Sequence, residues 1–172
     1  YLKFSYIKPP LTIFEDLFKI EPGTYLCFSK DLDLKKKRYW NPVDYIYNEG
    51  SDFKSFDDVK LEVKEILELA VKERAQADVP LGVMLSGGID SSLIASLAQK
   101  NSVKPINSFT IGFEYNQFNE AEYAKKIAKI IGTNHNEVYF SYNNLEKLLN
   151  VLPSAYDEPF ADSSQLPTLL LS

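Results

Sequence analysis

The spacing of apolar and polar positions changes along the chain. From Ser55 onward, Val59, Val63, Ile66, Leu67 and Ala70 recur at the three-to-four-residue interval of a helix. Ser55-x-x-Asp58 in front of them resembles a capping box, so an amphipathic helix is predicted through about Arg74. After Pro80, Leu81-Gly82-Val83-Met84-Leu85 is a short unbroken apolar run, which fits a strand buried on both faces. Ser86-Gly87-Gly88-Ile89 then makes a tight turn into a helix from Asp90 to about Gln99, and Ile106 to Phe113 reads as the next strand. Asn119 caps a helix with Ala121, Ala124, Ile127, Ala128 and Ile131 on one face, Gly132 stops it, and His135 to Phe140 reads as a third strand.

Strands alternating with helices of this length imply right-handed crossovers and an α/β fold, a parallel sheet with helices on both faces. Ligands of such sheets bind beyond the carboxyl ends of the strands. The loops at Ser86–Asp90, at Gly112–Asn119 and after Phe140 are therefore expected to line one rim.

The first fifty residues follow another pattern. Pro9-Pro10, Pro22-Gly23 and Asn41-Pro42 punctuate them, and turn signals outweigh periodicity. Thr12 is expected to cap a short helix over Ile13–Phe18, and Thr24–Ser29 has the composition of a strand. Lys35-Lys36-Lys37-Arg38 reads as a solvated loop or strand end. The polar stretch Tyr47–Asp52 marks the expected boundary, with residues 1–50 the end of a preceding domain plus linker and residues 51–172 the first part of the α/β domain.

Composition narrows the function classes. With 45% hydrophobic positions the chain can bury a core. Its 19 Lys+Arg against 24 Asp+Glu leave a net charge of -5, which supplies no general field for nucleic acid or an anionic membrane. Cys27 is alone and His135 is alone, so neither an internal disulfide nor a zinc site of the usual N/S type can be assembled. Cys27 is expected to be a small buried hydrophobe. No apolar run approaches the roughly 18–20 residues needed to span a bilayer, and a cytoplasmic protein is expected. A start without methionine and an end within an apolar stretch suggest a piece of a longer chain.

Candidate chemistry is concentrated in Leu85-Ser86-Gly87-Gly88-Ile89-Asp90-Ser91-Ser92. Adjacent glycines let the backbone approach a bulky ligand, and the helix that follows directs free amides at it, which favours an anion. Ser86, Ser91 and Ser92 add hydroxyls. Asp90 repels a phosphate unless a divalent cation mediates or its side chain caps the helix, and magnesium is the simpler resolution. A plain tight turn followed by an N-cap is the bland alternative; the buried strand before it and the helix after it favour the anion site. The Walker A pattern and its lysine are absent, which disfavours γ-phosphoryl transfer.

Ser86-Gly87-Gly88-Ile89-Asp90-Ser91 resembles the S-G-G-x-D-S pyrophosphate-binding loop of the N-type ATP pyrophosphatases. Pro10–Glu15, Glu21–Leu26, Tyr39–Pro42, Ser108–Phe113, Gly132–Glu137 and Asp157–Thr168 together look like glutamine-hydrolysing asparagine synthetases, over nearly the whole chain. That resemblance implies an adenine nucleotide alpha hydrolase-like fold preceded by the edge of a glutaminase domain. It implies conversion of aspartate, through β-aspartyl-AMP with release of pyrophosphate, to asparagine, using ATP, magnesium and glutamine-derived ammonia, in an enzyme that can be a homodimer. Leu85, Ile111 and Gly112 would flank the adenosine, with Gly112 allowing close backbone approach. Ser86, Gly87, Gly88, Asp90 and Ser91 would hold pyrophosphate, Asp90 with the metal. Asp157, Glu158, Asp162, Ser163 and Ser164 would contribute to the aspartate site.

Departures from the family pattern matter as well. Its glutaminase uses an N-terminal cysteine, a role that Cys27 inside a predicted strand cannot fill. The downstream Ser-Gly-Glu-Gly-type loop is missing, so residues 1–172 alone are expected to make no asparagine. Asp157 and Glu158, adjacent in extended chain before Pro159, should point apart, leaving one of them solvated. His135 is open between catalysis and a structural hydrogen bond. A related ligase acting on another carboxylate, such as a β-lactam-forming one, and a non-catalytic nucleotide-binding module are the alternatives.

Overall fold

The computed structural model describes residues 1–30, 33–46, 55–113 and 119–172. The chain forms two compact units, Tyr1–Asp52 with Pro153–Ser163, and Phe53–Leu152 with Ser164–Ser172. The boundary expected at Tyr47–Asp52 lies outside the described residues.

In the first unit, β1 (Thr24–Phe28) and β2 (Leu34–Arg38) form an antiparallel ribbon, followed by a single helical turn, α1 (Val43–Ile46). The Lys35–Arg38 run is thus a strand, every residue of it exposed, with Lys36 paired to Glu21. The short helix expected after Thr12 does not form. Thr12 Oγ1 instead accepts the Phe14 amide and bonds the Leu17 carbonyl, and Asp16 takes φ 59°, which closes a turn no helix can continue. Cys27 is exposed rather than buried, because its face of β1 carries no packed layer.

The second unit carries the parallel sheet β3 (Gly82–Met84), β4 (Asn107–Phe113) and β5 (Asn134–Phe140), in the order β3-β4-β5. Helices α2 (Phe56–Arg74), α3 (Ile89–Lys100), α4 (Ala121–Ile131), α5 (Tyr142–Ala155) and α6 (Gln165–Leu171) surround or follow it. Ser55 caps α2 by accepting the Asp58 amide, as its spacing predicts. Asn119 Oδ1 accepts the Ala121 amide at 3.2 Å, and Gly132, at φ 85°, ends α4 by donating to the Ala128 carbonyl.

Leu85, Ala95 of α3 and Ala124 and Ala128 of α4 form the core, with Val83, Ile127 and Ile131 packed against it. Small residues on both helices bring their backbones close to the sheet, and Ser108 and Thr110, in line with Val83, are buried on the same face. Helix α6 also packs on β4 and β5. The Leu81–Leu85 run is not covered on both faces: β3 lies at the sheet edge, and Met84 is 57% exposed. Among the described residues no helix is long and apolar enough to cross a membrane.

Candidate functional site

Strand register sets the height of each candidate. Met84 pairs with Phe109 and Phe109 with Asn136, and the Leu85 amide donates to the Phe109 carbonyl at 2.8 Å. Ser86, two residues beyond Met84, is therefore level with Ile111, and Gly112 is one residue higher. The fold brings Leu85, the Ser86–Ser91 loop, Ile111 and Gly112 to one carboxyl-end rim. Of the other loop expected there, residues 114–118 lie outside the described residues.

Leu85 is fully buried and anchors the loop, which then turns at Gly87 with φ 85°. A Cβ on Gly87 would lie 2.9 Å from the backbone nitrogen of Ala124 and 3.0 Å from Tyr123 Cβ, so this glycine lets the loop rest on the first turn of α4. Gly88 differs. It is the N-cap of α3 in extended conformation, and a Cβ there would meet only Ser86 Oγ, at 3.4 Å. The side of the loop facing away from the protein is open where Gly88 has no side chain.

Ser92 makes the first backbone bond of α3, to the Gly88 carbonyl at 3.1 Å. The amides of Ile89, Asp90 and Ser91 precede it, and no side chain caps them. They are three donors aimed beyond the strand end and reinforced by the helix dipole. Of the other three amides of the loop, two are engaged: Ser86 N–H donates to Ser91 Oγ and Gly88 N–H to Ser86 Oγ, both at 3.3 Å. Ser86 and Ser91 hydroxyls bond each other at 2.9 Å, and Ser91 and Ser92 hydroxyls donate to the Gly88 carbonyl. The serines thus hold the loop closed on itself rather than standing ready as extra donors. Bonds of 3.3 Å are long, and a charge-assisted bond to an oxyanion is roughly twice as strong as a neutral one.

Asp90 is exposed and forms no hydrogen bond or ion pair among the described residues, so it does not cap the helix. No group of three His, Cys, Asp or Glu side chains gathers among the described residues. A lone carboxylate fits a magnesium ion whose remaining ligands are phosphate oxygens and water, and does not fit an all-protein cation cage.

At Gly112 a neighbouring ring takes the side where a Cβ would stand. The Tyr139 ring lies over this glycine, and a Cβ there would be 2.4 Å from Tyr139 Cε1. Tyr139 donates its hydroxyl to Glu137 Oε2 at 3.0 Å, and Glu137 pairs with Lys125 of α4 at 2.9 Å. Lys125 holds the Glu137 carboxyl below its ordinary range, and Glu137 in turn raises the Lys125 and Tyr139 values. This triad escaped the sequence reading. Alternation along β5, with Glu137 and Tyr139 on the α4 side, is the signal that could have found it.

His135 is not at the rim. It pairs in register with Ser108, level with Val83, about 10 Å below Ser86 at a strand rise of roughly 3.3 Å per residue. Its Nδ1 bonds Ser108 Oγ at 2.9 Å, and Ser108 Oγ also bonds Thr133 Oγ1 at 2.7 Å. Burial pushes its pKa down, opposed by the Glu137 charge, and Nε2 is buried with no partner among the described residues. Its hydrogen bond thus lies within the sheet, below the rim.

Glu158 is not an available ligand, because it pairs with Lys19 and accepts the Ile13 amide at 3.0 Å, which pulls its pKa down. Asp157, Asp162 and Ser163 are exposed in the first unit, whereas Ser164 belongs to the second.

Comparison with known proteins matches residues 62–172 to the family described as asparagine synthase. Over 176 residues the chain is 36% identical to the putative asparagine synthetase [glutamine-hydrolyzing] 2 of Methanocaldococcus jannaschii, covering 100% of this chain and 33% of that protein. Over 174 residues it is 31% identical to asparagine synthetase [glutamine-hydrolyzing] 1 of Bacillus subtilis, covering 97% and 26%. Among solved structures, an NH3-dependent NAD synthetase from Campylobacter jejuni is similar at 14% identity and TM-score 0.43, over 64% of this chain and 46% of that one. The chain thus spans a third or less of the length of these two curated relatives.

Proposed function

Since the chain belongs to the asparagine synthase family, we propose that it carries the ATP-binding loop of a ligase that makes asparagine from aspartate and glutamine-derived ammonia. In this reaction a carboxylate oxygen of the acceptor attacks the α-phosphorus of ATP. The bond between that phosphorus and the bridging oxygen to the β-phosphate breaks, and pyrophosphate leaves with the electron pair. Ammonia then attacks the acyl carbon and AMP departs, taking the carboxylate oxygen that had joined phosphorus.

The supporting observation is the set of three uncapped amides, Ile89, Asp90 and Ser91, beyond a buried strand and beside an unfilled Gly88. Negative charge grows on the β-phosphate as the bridge breaks, and fixed donors stabilise it without reorganising. Gly87 positions them by seating the loop on α4. Asp90 would hold magnesium together with the phosphates, and the metal would neutralise charge on the departing pyrophosphate. Ile111 would border the adenosine, and Leu85, whose side chain is buried in the core, would do so through its backbone, with Tyr139 over Gly112. Asp157, Asp162, Ser163 and Ser164 are carried as acceptor-site residues.

The test is pyrophosphate and AMP release by the complete protein with ATP, magnesium and a panel of acids. Release that depends on aspartate supports the reading. Release driven by another acid points to a related ligase, and ATP binding without release leaves a nucleotide-binding module.

A further inference from the structure

We infer that Glu137 is a positioning residue for the nucleotide: it holds the Tyr139 ring at the rim and ties that ring, through Lys125, to the helix on which the phosphate loop rests. This deepens the proposed function and rests on it. Tyr139 pairs with Gly112, one residue above the level of Ser86, on a strand about 10 Å across the sheet from the one that delivers the loop. Its ring is 46% exposed and shares the rim with the uncapped amides of Ile89, Asp90 and Ser91. An open aromatic ring at that distance from an anion site suits a ligand with one flat aromatic end and one phosphate end.

A half-exposed ring keeps its place only if something tethers its tip. Tyr139 Oη donates to Glu137 Oε2 at 3.0 Å, while Lys125 Nζ pairs with Glu137 Oε1 at 2.9 Å, so each carboxylate oxygen has its own partner. The Glu137 side chain is only 18% exposed and that of Lys125 is 60% exposed, so the carboxylate is the fixed member and the lysine reaches in from α4. Ala124, next to Lys125 in that helix, presents the backbone nitrogen on which Gly87 is seated. Contacts therefore run without a gap from the loop at Gly87, through Ala124, Lys125 and Glu137, to the ring over Gly112. An ion pair with an exposed partner adds little to stability, so the consequence of this bridge is geometric: it sets where the ring stands relative to the loop.

The experiment uses the complete protein with magnesium and compares ATP with inorganic pyrophosphate, which needs the loop but no platform for a base. Glu137→Ala is expected to raise the ATP KM about tenfold, while kcat, the acceptor KM and the pyrophosphate inhibition constant stay within about threefold. Tyr139→Phe keeps the ring and loses the tether, and should raise the ATP KM by a smaller factor in the same direction. Lys125→Met should also raise it, and Lys125→Arg, which keeps the ion pair, should not; this pair carries the test if Glu137→Ala fails to fold. An unchanged ATP KM in the folded variant overturns the inference while the function stands. Equal rises for ATP and pyrophosphate overturn it too, because they would mark a general loosening of the loop. Absence of ATP-dependent pyrophosphate release in the wild-type protein overturns the function and the inference with it.

Discussion

Tyr139 occupies the space that a side chain on Gly112 would need: the absent Cβ would lie 2.4 Å and 2.6 Å from two atoms of its ring. The two residues are paired in register on adjacent parallel strands, and the ring is held by the hydroxyl bond to Glu137. Gly112→Ala must displace that ring. Because Tyr139 is 46% exposed, the ring can swing outward, and the expected cost is about 1–2 kcal/mol. Denaturant unfolding of Gly112→Ala, Tyr139→Ser and the double variant checks this. The double variant should lose less than the sum of the singles; strict additivity would show that the ring is not what excludes the methyl group.

The two loop glycines should separate folding from ligand binding. Gly87→Ala places a Cβ in the left-handed region and against the Ala124 backbone, which cannot give way as a side-chain tip can. A stability loss of about 2 kcal/mol or more is expected. Gly88→Val enters open space at φ -72° and ψ 166°, a conformation that valine accepts. Thermal unfolding of Gly88→Val should be near that of the wild type, while pyrophosphate release falls on the order of 10²–10³-fold. Near-normal release by a folded Gly88→Val protein would remove the loop from the reaction.

His135 gives a pH dependence with a definite sign. Burial lowers its pKa from the ordinary 6.5, so the unfolded chain takes up a proton before the native one does. Stability from this residue is complete above about pH 6.5 and is lost as pH falls from there toward the lowered native value. No other side chain with an ordinary pKa titrates in that window, because the chain has one histidine. Urea midpoints measured from pH 8 to 5 should fall on acidification, and His135→Asn should flatten the curve. A wild-type protein that gains stability on acidification in this range would contradict the burial argument.

Hydrophobic spacing carried much of the second unit because β4, α3 and α4 bury one side each, whereas Val63 and Ile66 of the predicted apolar face of α2 are exposed. The Ser55 cap, the Gly132 stop and the Ser86–Ser91 turn were therefore visible in short windows of sequence. What stayed hidden depends on register or on distant partners. Nothing local to Gly112 says that Tyr139 will lie over it, and Glu158 meets an amide 145 residues away. Thr12 reads as a helix start in the sequence because the same hydroxyl can cap a helix or close a turn, and only the backbone at Asp16 distinguishes them. Cys27 departs from the average burial of cysteine because it stands on a ribbon face with no covering layer.

Asp90 allows the role of magnesium to be tested by a change of sign. In the unliganded protein its carboxylate sits in the first turn of α3, where the helix dipole favours it, so Asp90→Asn should cost about 0.3–1 kcal/mol of stability. Toward bare phosphate the same carboxylate is repulsive, so removing its charge should strengthen binding of ATP measured by calorimetry in EDTA. With magnesium present the carboxylate becomes a ligand, and Asp90→Asn should instead weaken binding. The two titrations therefore move in opposite directions if Asp90 acts through the cation. Equal weakening in both would mean that Asp90 acts without the metal, and equal strengthening would mean that it only repels, leaving the cation to be held by phosphate oxygens and water alone.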